Sequence, residues 1–91
     1  MRLGPVGERI AAKLDAALAP EQMAVEDESH KHAGHAGSRP GGETHFSVKL
    51  VSRAFEGKSR LERHRMVNAA LADELRDRVH ALAISAKAPG E

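Results

Sequence analysis

Three histidines lie close together in a glycine-rich stretch of this 91-residue chain, at His30, His32 and His35. Imidazole is the commonest metal ligand and changes its charge near neutral pH, so clustered histidines on flexible backbone indicate a site for a metal ion or a proton. A further histidine, His80, lies in the apolar run 79–84. The chemistry therefore depends on whether the histidine-rich segment and that run meet in the fold.

The composition limits what else the chain can do. It contains no cysteine, which excludes disulfides and thiolate nucleophiles, and only two aromatic residues, Phe46 and Phe55. A chain this short buries only roughly 60 to 65% of its unfolded surface, which leaves little room for a deep substrate pocket. No nucleophile, phosphate loop or carboxylate pair is evident. We therefore expect a single domain over residues 1–91 that is not an enzyme.

The sequence also bears on location. No apolar run approaches the roughly 18 residues of a membrane span, and the first residues are not followed by the apolar region of a signal peptide. The lack of cysteine is typical of a reducing compartment. These observations predict a cytoplasmic protein with no membrane association.

The spacing of apolar residues predicts the elements that must position the histidines. Helical spacing runs from Val6 to Leu18, behind a proline at Pro5, and again from Leu61 to Leu75. The sequence Ser59-Arg60-Leu61-Glu62 has the spacing of a capping box and should begin the second helix, which should end near Asp77. Alternating apolar residues predict three strands, at residues 22–28, 45–54 and 79–86.

The order of these elements is α-β-β-α-β. It predicts an α+β two-layer sandwich in which a short three-stranded sheet is covered by helices on one face. Residues 29–43, with four glycines and a proline, are predicted to form a flexible loop between the first two strands, and residues 87–91 a frayed tail.

Five short motifs, in this order and at this spacing, resemble the BolA family. The resemblance covers residues 5–89 and implies an α/β sandwich of the type II KH arrangement, in agreement with the order of elements above. The motifs are Glu43-Thr44-His45-Phe46, Phe55-Glu56-Gly57, Arg63-His64-Arg65, Leu71-Ala72-Asp73-Glu74-Leu75 and Val79-His80-Ala81-Leu82-Ala83-Ile84.

The resemblance also implies a function. BolA-like proteins are partners of monothiol glutaredoxins, with which they share a bridging [2Fe-2S] cluster that also uses glutathione. His80 matches the ligand histidine of the family near the C-terminal strand. The second ligand matches the region 30–35, where counting from Glu28 favours His32 and leaves His35 and His30 open. The implied role is an adaptor in cluster trafficking or in iron and redox regulation.

The absence of cysteine agrees with that implication. Nearly all proteins that hold an iron–sulfur cluster supply thiolates, so a chain without them needs a partner that contributes sulfur. Imidazole ligands from His80 and one loop histidine could complete the set. For the free chain, both a monomer and a weak homodimer remain open.

The alternative function is DNA binding, because some members of the family are described as transcriptional regulators. Residues 45–91 carry nine Lys and Arg against six Asp and Glu, and the basic candidates are Lys58, Arg60, Arg63 and Arg65. The RNA-binding mode of KH domains is not favoured, since a GXXG loop between helices is missing. His45 and His64 are predicted to serve structure, and Glu74 to be solvated.

Overall fold

The computed structural model describes residues 4–28, 44–77 and 79–91. These residues form three α-helices, three strands and one 3₁₀ turn. The helices are α1 (Pro5–Leu18), α2 (Arg60–Ala70) and α3 (Ala72–Asp77), the strands are β1 (Gln22–Asp27), β2 (His45–Val51) and β3 (Ala81–Lys87), and the 3₁₀ turn is Arg53–Phe55.

The three strands form one sheet with β2 in the centre. Strand β1 pairs with β2 in antiparallel orientation, and β3 pairs with β2 in parallel orientation. The register aligns Val48 with Val25 on one side and with Ile84 on the other. One end of the sheet therefore contains the end of β1 and the beginnings of both β2 and β3.

The core lies between the sheet and the helices, on one face of the sheet only. Strand β2 alternates as its sequence predicts, with Phe46, Val48 and Leu50 buried. From α1, four residues at a spacing of four are buried against them: Val6, Ile10, Leu14 and Leu18. The other face of the sheet carries small and polar side chains, with Val51 as an apolar exception. The predicted one-sided sandwich is confirmed.

A buried hydroxyl joins α1 to the sheet. The Oγ of Ser52, fully buried after β2, donates to the carbonyl oxygen of Leu18 at 2.6 Å and accepts from the backbone N–H of Ala54 at 3.1 Å. It thereby satisfies one of the carbonyls that a helix leaves unpaired at its C-terminus. Ala19 follows in the left-handed region, with φ 42°.

The sequence predicts one continuous second helix, and this prediction is wrong because the segment forms two helices. It begins with the predicted capping box, in which Ser59 and Glu62 exchange side-chain-to-backbone hydrogen bonds. The helix is then interrupted at Leu71, whose φ and ψ of −108° and 18° leave the helical region and whose side chain is buried. Leu61, predicted to lie in the apolar stripe, is 60% exposed.

The interruption changes which residues of the second segment face the core. Glu74, predicted to be solvated, is 4% exposed and lies 2.8 Å from the Nζ of Lys13 and 3.6 Å from the Nε of Arg9, both in α1. A buried carboxylate is tolerated because it is paired. This ion pair holds α3 against α1.

The predictions for the C-terminal part are also corrected. Strand β3 begins at Ala81 rather than at residue 79, and it includes Lys87, the first residue of the predicted tail. The tail is not frayed, because Ala88 is buried and Glu91 is paired with Arg63. The predicted loop over residues 29–43 lies outside the residues that the structure describes.

Candidate functional site

His80 lies at the end of the sheet, one residue before β3, and not inside a strand as predicted. Its side chain is exposed. Its backbone is fixed, because the carbonyl oxygen of Thr44 accepts a 2.7 Å hydrogen bond from the N–H of His80 and a 3.2 Å bond from that of Ala81. The imidazole is therefore solvent-accessible but is attached to a rigid backbone.

The histidine-rich segment leaves and re-enters the described structure at the same end of the sheet. Glu28, the last described residue before it, donates its N–H to the carbonyl oxygen of His45 at 2.7 Å. Thr44, the first residue after it, is fully buried and holds His80. Both boundaries of the segment thus lie at the beginning of β2, which is the end of the sheet where His80 lies. We call Thr44, His45 and His80 the histidine end of the sheet.

A second imidazole at the histidine end was not assigned a chemical role from the sequence. The rings of His45 and His80 have centroids 6.5 Å apart and are tilted by 38°. The Nδ1 of His45 lies 2.9 Å from the Oγ1 of the buried Thr44, in hydrogen-bonding distance. The parallel register, which pairs His45 with Ala81, brings the two histidines together. Residue spacing alone carries no signal for this proximity.

The remaining candidate ligands, His30, His32 and His35, lie outside the described residues, and the choice among them stays a prediction. Within residues 4–28, 44–77 and 79–91, no group of three or more His, Cys, Asp or Glu side chains is arranged to hold a metal ion. A metal site that uses His80 therefore needs ligands from residues 29–43 or from a second molecule.

The basic candidates for DNA binding differ in their availability. Arg63 is engaged on several sides: its guanidinium donates to the two carboxylate oxygens of Glu91 at 2.5 and 2.8 Å and to the backbone oxygens of Lys58 and Ala86. It also lies 6.0 Å from the centroid of the Phe55 ring, and its side chain is only 11% exposed. Arg63 thus serves mainly to join α2 to β3.

The other three basic candidates are exposed: Lys58 precedes α2, Arg60 begins it and Arg65 lies in its middle. The Arg63 guanidinium and the backbone N–H of Ala88 lower the pKa of the Glu91 carboxyl to about 2, so Glu91 is ionised throughout the physiological range. Its charge offsets that of Arg63. The basic group predicted from the sequence is therefore reduced to three cations in the described structure.

In the described part of the chain, no helix has the length and apolar character needed to cross a membrane.

Comparison with known sequences identifies relatives. The profile of the family described as "BolA-like protein" matches residues 14–91. Mouse BolA-like protein 1 is 53% identical over 97% of this chain, and the match spans 61% of that protein. "SufE-like protein 1, chloroplastic/mitochondrial" of Arabidopsis thaliana is 50% identical over 98% of this chain but only 25% of its own length.

Comparison with solved structures leads to the same family. The BolA domain of SufE1 from Arabidopsis thaliana superposes with a TM-score of 0.88 at 49% identity, covering 97% of this chain and 96% of that domain. The solution structure of BolA1 from Mus musculus gives 0.81 at 53% identity, covering 96% and 68%. Because one relative is named for chloroplasts or mitochondria, the cytoplasmic location stays a prediction.

Proposed function

Because this chain belongs to the BolA-like family, we propose that it is an adaptor that binds a monothiol glutaredoxin and shares a [2Fe-2S] cluster with it. The observation that carries the proposal is the double hydrogen bond from the N–H groups of His80 and Ala81 to Thr44. It brings an exposed imidazole to the point where the segment containing three histidines joins the sheet. The segment that contains the other candidate ligands is therefore connected to the sheet at the end where His80 lies.

The donor set fits a shared cluster better than one held by this chain alone. The chain has no thiolate to offer, and the described residues contain no three-ligand group. Two irons need four terminal ligands, so thiolates from a glutaredoxin and from glutathione would complement two imidazoles from this chain. Imidazole in place of thiolate lowers the negative charge of a cluster and raises its reduction potential.

The geometry of His80 supports a role at an interface. A ligand for a shared cluster must be accessible to a partner and still be held in a defined orientation. The side chain of His80 is exposed, and its own N–H is bonded to a fully buried residue, which fixes the backbone from which the imidazole extends. A histidine inside the core would be unable to reach a partner.

The test is reconstitution of the cluster with a glutaredoxin, glutathione, iron and sulfide, using the wild type and His80→Ala. Loss of a residue that only supports a metal ligand typically weakens metal binding by about 10- to 100-fold, so loss of a ligand should shorten the cluster lifetime by at least about tenfold. Visible absorption and circular dichroism report the change. The control is His64→Ala, which replaces a half-buried histidine of α2 and should behave as the wild type.

The same assay identifies the second ligand. Single alanine substitutions at His30, His32 and His35 should affect the cluster unequally, with His32→Ala the most severe. If the three single variants and the triple variant all resemble the wild type, the second ligand lies elsewhere, and His45 becomes the next candidate because of its 6.5 Å separation from His80. An unchanged spectrum and lifetime for His80→Ala would refute the proposal itself.

DNA binding has less support. Phosphate recognition needs cations that can leave their protein partners, and Arg63 is bonded to Glu91, Lys58 and Ala86. Any binding through Lys58, Arg60 and Arg65 should weaken steeply with salt. Sequence-specific binding at physiological salt that is lost when the cluster forms would favour the regulatory function.

A further inference from the structure

A second surface, at the other end of the sheet, has the character of an anion site. A shallow cleft of about 350 Å³ lies there, and four of its lining residues carry hydrogen-bond donors: Gln22, Lys49, Ser85 and Lys87. The other four lining residues are apolar, and none of the eight is acidic. We call these four polar residues the lysine end of the sheet.

The register explains how the two lysines come together. Lys49 lies on the central strand between Ala24 of β1 and Ser85 of β3, and Lys87 lies opposite Val51, two residues further along β3. Neighbouring strands lie about 4.8 Å apart and two residues span about 6.6 Å along a parallel strand, so the two backbone positions are about 8 Å apart, within reach of a common ligand for side chains as long as lysine. The small neighbours Ala24 and Ser85 leave space above the sheet for one.

The charges of these lysines are not neutralised by the described structure. Both are exposed, and no carboxylate among residues 4–28, 44–77 and 79–91 forms an ion pair with either of them. Lys87 contributes weakly to the low pKa of Glu91, but that carboxylate is bonded to Arg63. Two cations that share a cleft repel each other, and a bound anion would remove that repulsion.

The chemistry of the cleft selects among anions. Ammonium groups, a hydroxyl and an amide can all donate to phosphate oxygens. Single-stranded nucleic acid is disfavoured, since it requires aromatic side chains on which bases stack, and both aromatic residues of the chain, Phe46 and Phe55, are buried in the core. The cleft volume of about 350 Å³ is in the range of small-molecule sites.

We propose that the lysine end binds the phosphate group of a small soluble molecule, with Lys49 and Lys87 as the principal contacts. This site is separate from the proposed cluster site. Lys87 lies six positions after Ala81 in β3, which is about 20 Å along a strand. Phosphate binding at the lysine end requires neither the cluster nor a glutaredoxin.

The experiment is a titration of the ¹⁵N-labelled chain with inorganic pyrophosphate at constant ionic strength, with sodium chloride as the reference. Saturable shifts of the amide signals of Gln22, Lys49, Ser85 and Lys87 are expected. Lys49→Gln and Lys87→Gln should each raise Kd by about three- to tenfold, as expected for an exposed charge-assisted contact. The double variant should abolish saturation, and Lys49→Arg should retain it.

Lys58→Gln is the matched control, because Lys58 is also exposed but lies outside the cleft. Its Kd should equal that of the wild type. Shifts that do not saturate, or equal effects of Lys49→Gln and Lys58→Gln, would show that pyrophosphate only screens surface charge and would overturn the proposal. The proposal would also be overturned if the chain bound heparin or anionic vesicles but showed no saturable binding of pyrophosphate.

Discussion

The two ends of the sheet are built in different ways. At the histidine end, backbone hydrogen bonds to Thr44 hold the main chain, and the side chain of His80 is left exposed. Beyond the lysine end, side chains join the layers: Ser52 bonds to α1, and Arg63 bonds to β3 and to Glu91. Substitution of His80 should therefore alter ligand binding with little decrease in the free energy of unfolding. Substitution of the residues that join the layers should mainly decrease the free energy of unfolding.

The largest expected effect is on stability, from Phe55→Ala. Phe55 is fully buried in the turn that follows β2, beneath the guanidinium of Arg63. Removing a buried phenyl group should lower the free energy of unfolding by about 3 to 5 kcal/mol. Urea denaturation measures the loss.

Leu61→Ala is the control for this substitution, because Leu61 is large and apolar but 60% exposed. It should change the free energy of unfolding by less than about 0.5 kcal/mol. Equal losses for Phe55→Ala and Leu61→Ala would contradict the contrast between a buried anchor and an exposed surface residue.

A smaller effect is expected from Thr44→Val at the histidine end. Valine keeps the shape and the backbone bonds to His80 but removes the hydroxyl that lies 2.9 Å from the Nδ1 of His45. Loss of this partly buried hydrogen bond should cost about 1 kcal/mol in the free energy of unfolding and should shift the ring signals of His45.

Ser47→Ala is the control for Thr44→Val, since it removes a half-buried hydroxyl of β2 from the face of the sheet that the helices do not cover. It should leave both stability and the His45 signals close to those of the wild type. If Thr44→Val were equally silent, the buried hydroxyl would have no part in orienting the histidine end.

The smallest effect is expected from Glu91→Gln, and it depends on pH. The bond to Arg63 lowers the pKa of the Glu91 carboxyl from its ordinary 4.5 to about 2. A carboxyl whose pKa is lower in the folded chain stabilises it above pH 4.5, and this contribution is lost as the pH falls from 4.5 towards 2. Glu91→Gln should therefore lower Tm at pH 6 but not at pH 2.

Thermal denaturation of both chains between pH 2 and pH 6 measures the difference. Because the Glu91 side chain is 45% exposed, solvent screens its charge, and the decrease in Tm at pH 6 should be smaller than the decrease caused by Thr44→Val. A gap that stays constant down to pH 2 would show that Glu91 acts through packing rather than through its charge.

Much of the fold was predictable because its elements depend on local patterns. The helix from Pro5, the capping box at Ser59 and the alternation in β2 are each encoded by residues a few positions apart, and the structure confirms them. The BolA-like resemblance is confirmed for the same reason, as short motifs at fixed spacing are visible in one sequence. The importance of His80 as a candidate ligand also came from such a motif.

Other features depended on contacts between distant segments, and no local pattern predicts these. The break at Leu71 turns Glu74 towards Lys13, 61 positions away in the chain. Packing of α2 on β3 brings Arg63 into contact with Glu91. Parallel pairing of β2 with β3 brings His45 beside His80. The same pairing places Lys49 near Lys87. The sequence by itself determined which side chains could do chemistry, whereas the tertiary structure decided which of them share an end of the sheet, because strand register and helix packing are properties of the whole chain.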